Sequence, residues 1–561
     1  MARPFLLLAL AGTCTAIVVQ RPPAMRPPGQ QPRLSRRSEM LAAEAAAKSP
    51  EDGDSSMLSS TSNLVKSIVG SGVFNLPFGI AAYSSSRLAL LPALALLGAV
   101  TLLSAYCFVV VARVVEATGA SSWAEAWSRT VGERSSWLPG FFVGGLCFSA
   151  QLQYTMILGD TFSAIFAGLG LPWLGTRTGS ILALTGLVTL PLSLLPNMSM
   201  LRYSSSLGVV SLLYTAAFMA WRAAGGHYAP GTPLHAAVPA AVLQPFFAAA
   251  GGAGGGGGGH YGGASSLLAQ LLSPRTFKLV SILASAMVAT FLAPQFFADL
   301  APAPPPTTSS TPSTSSALAT SSSAVAAPSA ASSTSRGSAK LRRFRTLTAW
   351  GYAISALLTA VVMAAGYLTF GGASDGFVLN NYATTDRFAQ LVRNMRRTHA
   401  GGPPSSFPRH PPTHVTLTHP PTPPTHHQAR LAVGGSIVCS YPLMHQGLRA
   451  VAREALLARD LPAPRVGVTV GTVGLTTALA LVLTDLGPIA ALSGAVISNC
   501  LAYVLPALML EALLSRRAAA AAAAARGGGL TRGERLELMA SRAIVALGLG
   551  LAAVGVYAVL T

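Results

Sequence analysis

Long apolar runs without formal charge constrain this sequence more than any other feature. Eleven such stretches lie at about 62–83, 88–112, 138–159, 178–200, 203–221, 279–298, 346–370, 431–448, 466–484, 486–510 and 543–561. Most are uncharged for 18 to 25 residues, enough helix to cross a hydrocarbon layer of about 30 Å. Within lipid, each must be helical unless protein or water covers its backbone. Of the 561 residues, 51% are hydrophobic and only 10% are charged, against about 25% charged in an ordinary globular protein. So few charges could not cover the surface of a soluble fold. The chain is expected to be an all-α membrane protein with 11 transmembrane helices, and chemistry in water is excluded as its main business.

The basic excess, 38 Lys and Arg against 18 acids, fits orientation in a membrane better than nucleic acid, since the basic residues sit between apolar runs with no interleaved aromatics. With the N-terminus cytoplasmic, 26 basic residues fall on that side and 11 on the other, with Lys66 inside the first run. The rule that positive loops stay inside therefore places the C-terminus opposite. The five cysteines form no CxxC pair, so neither a disulfide framework nor a structural zinc site is expected.

Residues 1–61 form an N-terminal extension whose first 38 positions hold six arginines and no acid. Its apolar stretch from Phe5 to Val19 suits a signal peptide or an organelle-targeting leader, and an unstructured extension fits equally well. A Gly-rich insertion at 226–274 separates a first group of five runs (62–225) from a second (275–512), which contains low-complexity insertions at 301–338 and 401–427. Residues 513–561 supply an Ala-rich linker and the last run. The insertions cannot bury enough apolar surface to fold alone.

The first run reads SNLVKSIVGSGVFNLPFGI from Ser62 to Ile80. Glycine and proline inside a span allow the helix to unwind and offer bare backbone groups to a polar ligand at mid-membrane. They also serve simply as small residues for close helix packing. Lys66 stands one turn before Gly70-Ser71-Gly72. A lysine inside a span costs on the order of 3 kcal/mol and points to function by default, unless it snorkels to the interface.

NLVKSIVGSGVFNLPF resembles the first-helix motif of the amino acid/auxin permease family of transmembrane amino acid transporters. The resemblance continues through LLSAYCFVVVARV (102–114), TGASSWAEAWSRTVG (118–132), QYTMILGD (153–160), LPLSLLPNMSMLRYSSSLGVVSL (190–212), AGYLTFGG (365–372), ARLAVGGSIVCSYPLMHQGLRA (429–450) and DLGPIAALSGAVISNCLAYVLPALM (485–509). These eight strings stand in family order and at family spacing.

The resemblance implies a leucine-transporter-like fold: a 5+5 inverted repeat plus one extra C-terminal helix. It also implies a secondary active transporter, symporter or exchanger, that carries a small-molecule amino acid by alternating access and needs no cofactor beyond a coupling ion. Carried over by position, Ser71, Gly72 and Val73 would offer backbone groups to the substrate carboxylate, flanked by Ile68 and Val69. Ser285, Ala286 and Met287 of the sixth run would face the amino group and side chain. Sodium-coupled members have asparagine where Lys66 stands, and proton-coupled members share the lysine. Ser436, Cys439 and Ser440 of the eighth run would face it, so the coupling ion is expected to be H+ rather than Na+. The sixth run, ATFLAPQFFADL (289–300), departs from the family: it keeps the proline, lacks the histidine, and carries Asp299 one place late.

Other classes have weaker support. Six histidines between His399 and His427 invite a metal-transport reading, but their regular Pro and Thr company is a compositional trait. A sensor that binds amino acid without moving it would have the same helices. Intramembrane enzymes need paired polar groups in the bilayer, whereas Asp160 and Asp485 lie at run ends with no histidine at a supporting spacing and read as interfacial caps. The expected partners are substrate and lipid, with no nucleic acid.

Overall fold

A computed structural model describes residues 57–82, 84–195, 202–236, 276–300, 330–382, 426–457, 461–523 and 531–560. The leader and most of the three long insertions lie outside the described residues. Within them the chain is all helix, with no strand. Nine helices among the described residues are long and apolar enough to cross a membrane, and each coincides with one of the expected runs. The remaining two runs, fifth and eighth, fall on the helices Arg202–Ala224 and His426–Leu457. Together these features define a multi-pass integral membrane protein.

The spans divide by burial. The first, third, sixth and tenth bury 65% to 72% of their most apolar window, against 22% for the eleventh. An apolar helix has no need to hide from lipid, so central burial reflects close packing around something rather than a hydrophobic drive. Glycines permit that packing. A Cβ at Gly494 of the tenth span would overlap the Ser281 carbonyl of the sixth, and one at Gly79 would lie 3.0 Å from Leu279 Cδ1.

Polar groups tie the spans together. The third span, Trp137–Gly168, presents Gln151 to His445 Nδ1 of the eighth at 2.9 Å, and Ser149 to Ser493 of the tenth at 2.6 Å. Asp160, expected as a cap, lies inside the third-span helix Trp137–Gly168 instead. It accepts from Arg177 Nε at 2.8 Å, and the same guanidinium donates to the Ala480 and Leu483 carbonyls of the ninth span. One arginine thereby links the third span to the start of the fourth and the end of the ninth.

The second span, Leu90–Thr118, stops at Gly119, whose φ of 63° lets the chain turn left-handed and cap Val115. A short amphipathic helix follows, Trp123–Thr130, capped by Ser122, with Trp123, Ala126, Trp127 and Thr130 buried. Burial works against its Glu125. The Ser121 amide and hydroxyl and the Arg129 guanidinium outweigh that and hold the carboxyl below its usual range.

Candidate functional site at two broken helices

The first span is interrupted where its glycines lie. Helix Met57–Ile68 ends, Gly70 is extended at φ −103° and ψ −165°, a 3-10 turn runs over Ser71–Asn75, and helix resumes over Leu76–Ala81 with Pro77 in its first turn. The sixth span repeats the arrangement. Helix Thr276–Ala286 ends, a 3-10 turn covers Thr290–Leu292, and helix resumes over Ala293–Asp299 with Pro294 in its first turn.

Each proline lacks the N–H that would bond the carbonyl four residues earlier, namely Val73 and Thr290. Instead the Leu76 amide caps Val73, and the Ala293 amide caps Thr290. The Thr290 carbonyl also accepts from Trp123 Nε1 at 3.2 Å, and the Thr290 hydroxyl donates to the Leu501 carbonyl at 3.1 Å. Leu501 lies in a π-helical stretch of the tenth span, Cys500–Val504, where widened turns commonly mark functional positions.

The two breaks face each other. A Cβ added at Gly72 would lie 3.8 Å from Ala286 Cα, and Gly79 abuts Leu279. Seven residues forward in one span correspond to seven back in the other, so the pieces run antiparallel. Gly70 faces the Tyr154 hydroxyl of the third span. The arrangement is closed in this conformation, with Ile68, Val69, Val73, Ala286 and Met287 all buried.

The expected substrate residues therefore come together at one level, with local differences. Val73 spends its amide on the Gly70 carbonyl at 3.3 Å, which leaves Ser71 and Gly72 to open the turn, where the first amides of any helix lack partners within it. Such amides carry partial positive charge suited to an anion. Ser285 is half-buried, and its Cβ lies against Gly494 of the tenth span.

Lys66 is half-buried one turn before the break and within electrostatic range of Cys439, so the first and eighth spans approach as expected. Ser436, Cys439 and Ser440 are also half-buried. The Ser440 hydroxyl donates to the Ser436 carbonyl at 2.9 Å within its own helix, which leaves its oxygen lone pairs for another partner. The clustered histidines 399–419 lie outside the described residues, and no group of three metal-ligating side chains occurs among those described.

Sequence reasoning missed Asn75. It is fully buried in the 3-10 turn, and neither side-chain amide atom has a hydrogen-bond partner. A polar side chain inside the FNLP stretch was the available signal. Thr359 of the seventh span is similar: buried, with its hydroxyl unpartnered. Gly351 meets Leu64 and Gly366 meets Pro77, a parallel register that sets Thr359 level with the first break. Two unsatisfied polar groups at such a level are costly unless something polar visits them.

Two interrupted spans therefore approach each other within a multi-pass helical membrane protein. Residues 53–253 match the family described as transmembrane amino acid transporter protein. Over 183 residues the chain is 32% identical to the "Putative sodium-coupled neutral amino acid transporter 11" of Danio rerio, covering 32% of this chain and 38% of that protein. Over 165 residues it is 30% identical to the "Vacuolar amino acid transporter 7" of Saccharomyces cerevisiae, covering 29% and 31%. The matched stretch thus spans only about a third of these relatives. Both carry transporter names. Among solved structures, MhsT in complex with L-phenylalanine is similar at a TM-score of 0.44 and 11% identity, covering 89% of this chain and 98% of that one. A manganese transporter of Eremococcus coleocola is similar at 0.37 and 11%, covering 95% and 97%.

Proposed function

We propose that this protein is a secondary active transporter, symporter or exchanger, that moves amino acids across a membrane by alternating access and couples that movement to protons. The observation that carries the reading is the approach of Gly72 to Ala286, which brings two helix breaks face to face at one depth. Ser71 and Gly72 amides hold the carboxylate, while the carbonyl end of Thr276–Ala286 faces the amino group, a polarity that the helix dipoles supply without any charged side chain. The same scaffold reading gives 11 spans arranged as a 5+5 repeat plus one, with the N-terminus cytoplasmic. The yeast relative's name makes an organelle membrane one candidate location.

Lys66 is the proposed coupling group. A fixed ammonium beside Ser436, Cys439 and Ser440 stands where a sodium ion would otherwise balance the site, and losing or gaining one proton switches that balance. Purified protein in liposomes, given a labelled amino acid panel under separate proton and sodium gradients, tests the reading. Accumulation driven by a proton gradient is expected, and Lys66→Asn should abolish its pH dependence while counterflow persists. Accumulation that follows sodium alone would overturn proton coupling. Loss of counterflow in the wild type would leave binding without transport, the behaviour of a sensor.

A further inference from the structure

A second concave site lies away from the helix breaks. Between the end of the second span and the beginnings of the seventh and eleventh is a groove of about 360 Å³. Its wall is apolar, formed by Ala105, Val109, Val110 and Ala349, and its mouth is ionic, with Arg345 on one side and the Arg113–Glu537 pair on the other. Both guanidinium Nη atoms of Arg113 meet the two Glu537 oxygens at 2.9 Å, so that pair is satisfied internally and ties the eleventh span to the second.

The remaining charge at the mouth is positive. The seventh-span helix carries Lys340, Arg342, Arg343 and Arg345 within two turns. Lys340 is committed to the Phe297 ring at 4.9 Å. Arg342 and Arg345 are exposed and, three residues apart, share a helix face with Ala349, which lines the groove. The opposing acids are Glu116, within electrostatic range of Arg345, Arg113 and Lys340, and Asp299, within range of Lys340; two carboxylates do not neutralise four cations. Just beyond, the same helix exposes Trp350 and Leu357, side chains suited to an interface and to hydrocarbon. The groove is therefore wet and cationic at its top, apolar along its wall, and bordered by surface fit for lipid.

We infer that this groove is a binding site for one anionic phospholipid, whose phosphate meets Arg345 and Arg342 and whose acyl chain lies along Ala105, Val109 and Ala349. A phosphate supplies negative charge to a mouth where cations outnumber carboxylates, in the fork geometry that arginine favours. The acyl chain covers a wall that no side chain of the described helices fills. All three helix ends belong to one membrane face, so the lipid belongs to one leaflet, and it would bridge the seventh and eleventh spans. The inference does not depend on what the protein transports.

The test uses the full chain, purified after incubation with equal amounts of phosphatidylcholine and phosphatidylglycerol, and native mass spectrometry to count retained lipid. Phosphatidylglycerol should be retained in excess. Arg342→Ala with Arg345→Ala should reduce that excess by about fivefold for each arginine, and both residues are exposed enough for the variant to fold. Ala349→Phe, also exposed, should fill the groove and reduce retention with both arginines intact. Equal retention of the two lipids, an unchanged excess in the double variant, or unaltered retention in Ala349→Phe would each overturn the assignment. So would displacement of the lipid by soluble glycerol phosphate, which would mean that the headgroup alone is recognised.

Discussion

In the first span the helix stops at Ile68, and a glycine, Gly70, takes up the extended backbone. In the sixth it stops at Ala286, and an alanine, Ala289, occupies the equivalent place at φ −134° and ψ −1°. The local devices otherwise agree, a 3-10 turn followed by a proline-started half-helix. The neighbourhoods do not. Around the sixth break, Trp123 and Leu501 each make a hydrogen bond to Thr290, and Gly494 lets the tenth span press onto the Ser281 carbonyl. The first break is written into its own residues, while the second is imposed by two other parts of the chain. For the proposed transport cycle this contrast assigns different parts to the two breaks: the held side would report the state of its partners, and the other side would bend.

If that division is right, the most damaging change lies outside both breaks. Gly494→Val would force a side chain into the Ser281 backbone, where no rotamer change can relieve the overlap. Such overpacking typically costs about 1–3 kcal/mol, more when backbone must move. The expected result is loss of monodisperse protein on size exclusion, with the sixth span displaced. Protein that folds and transports normally would show that the tenth span does not hold the sixth.

Next in size is Trp123→Phe. It removes the indole N–H from the Thr290 carbonyl while keeping most of the buried ring, a loss of about 1–3 kcal/mol for a hydrogen bond broken in a buried site. Amide exchange over residues 287–292 should accelerate while exchange over 69–75 stays unchanged. Thr290→Val, which deletes the hydroxyl bond to Leu501, should act on the same segment. Because the two bonds converge on one residue, the double variant should depart from additivity. Additive effects, or equal acceleration at both breaks, would erase the contrast.

This contrast also explains what could be read from the sequence. Gly70-Ser71-Gly72 with Pro77 offered a break in the first run beside the plainer reading of close helix packing, because glycine in a span acts through its own backbone. In the sixth run only Pro294 and the family resemblance pointed to a break, since no glycine is present. The decisive contact comes from Trp123, 167 positions earlier, on an amphipathic helix whose docking no local pattern encodes. Helix existence was legible throughout, because lipid leaves the backbone no alternative. Helix rotation was not, and so Asn75 and Thr359 went unnoticed, as did the closeness of Ser285 to Gly494.

The smallest expected effect belongs to Gly70→Ala. The backbone there has φ −103°, which alanine adopts freely, and an added Cβ meets nothing closer than the Tyr154 hydroxyl at 3.8 Å. Alanine favours helix over glycine by about 1 kcal/mol, so the substitution should leave stability equal or slightly higher and bias Met57–Ile68 to continue through the break. Uptake should fall several-fold through a lower maximal rate, while thermal stability in detergent holds or rises. That opposition is the signature of a hinge made by one residue's freedom rather than by contacts. Were Gly70→Ala instead to melt earlier than the wild type, the first break would depend on tight packing as the sixth does, and the two halves of the site would be alike after all.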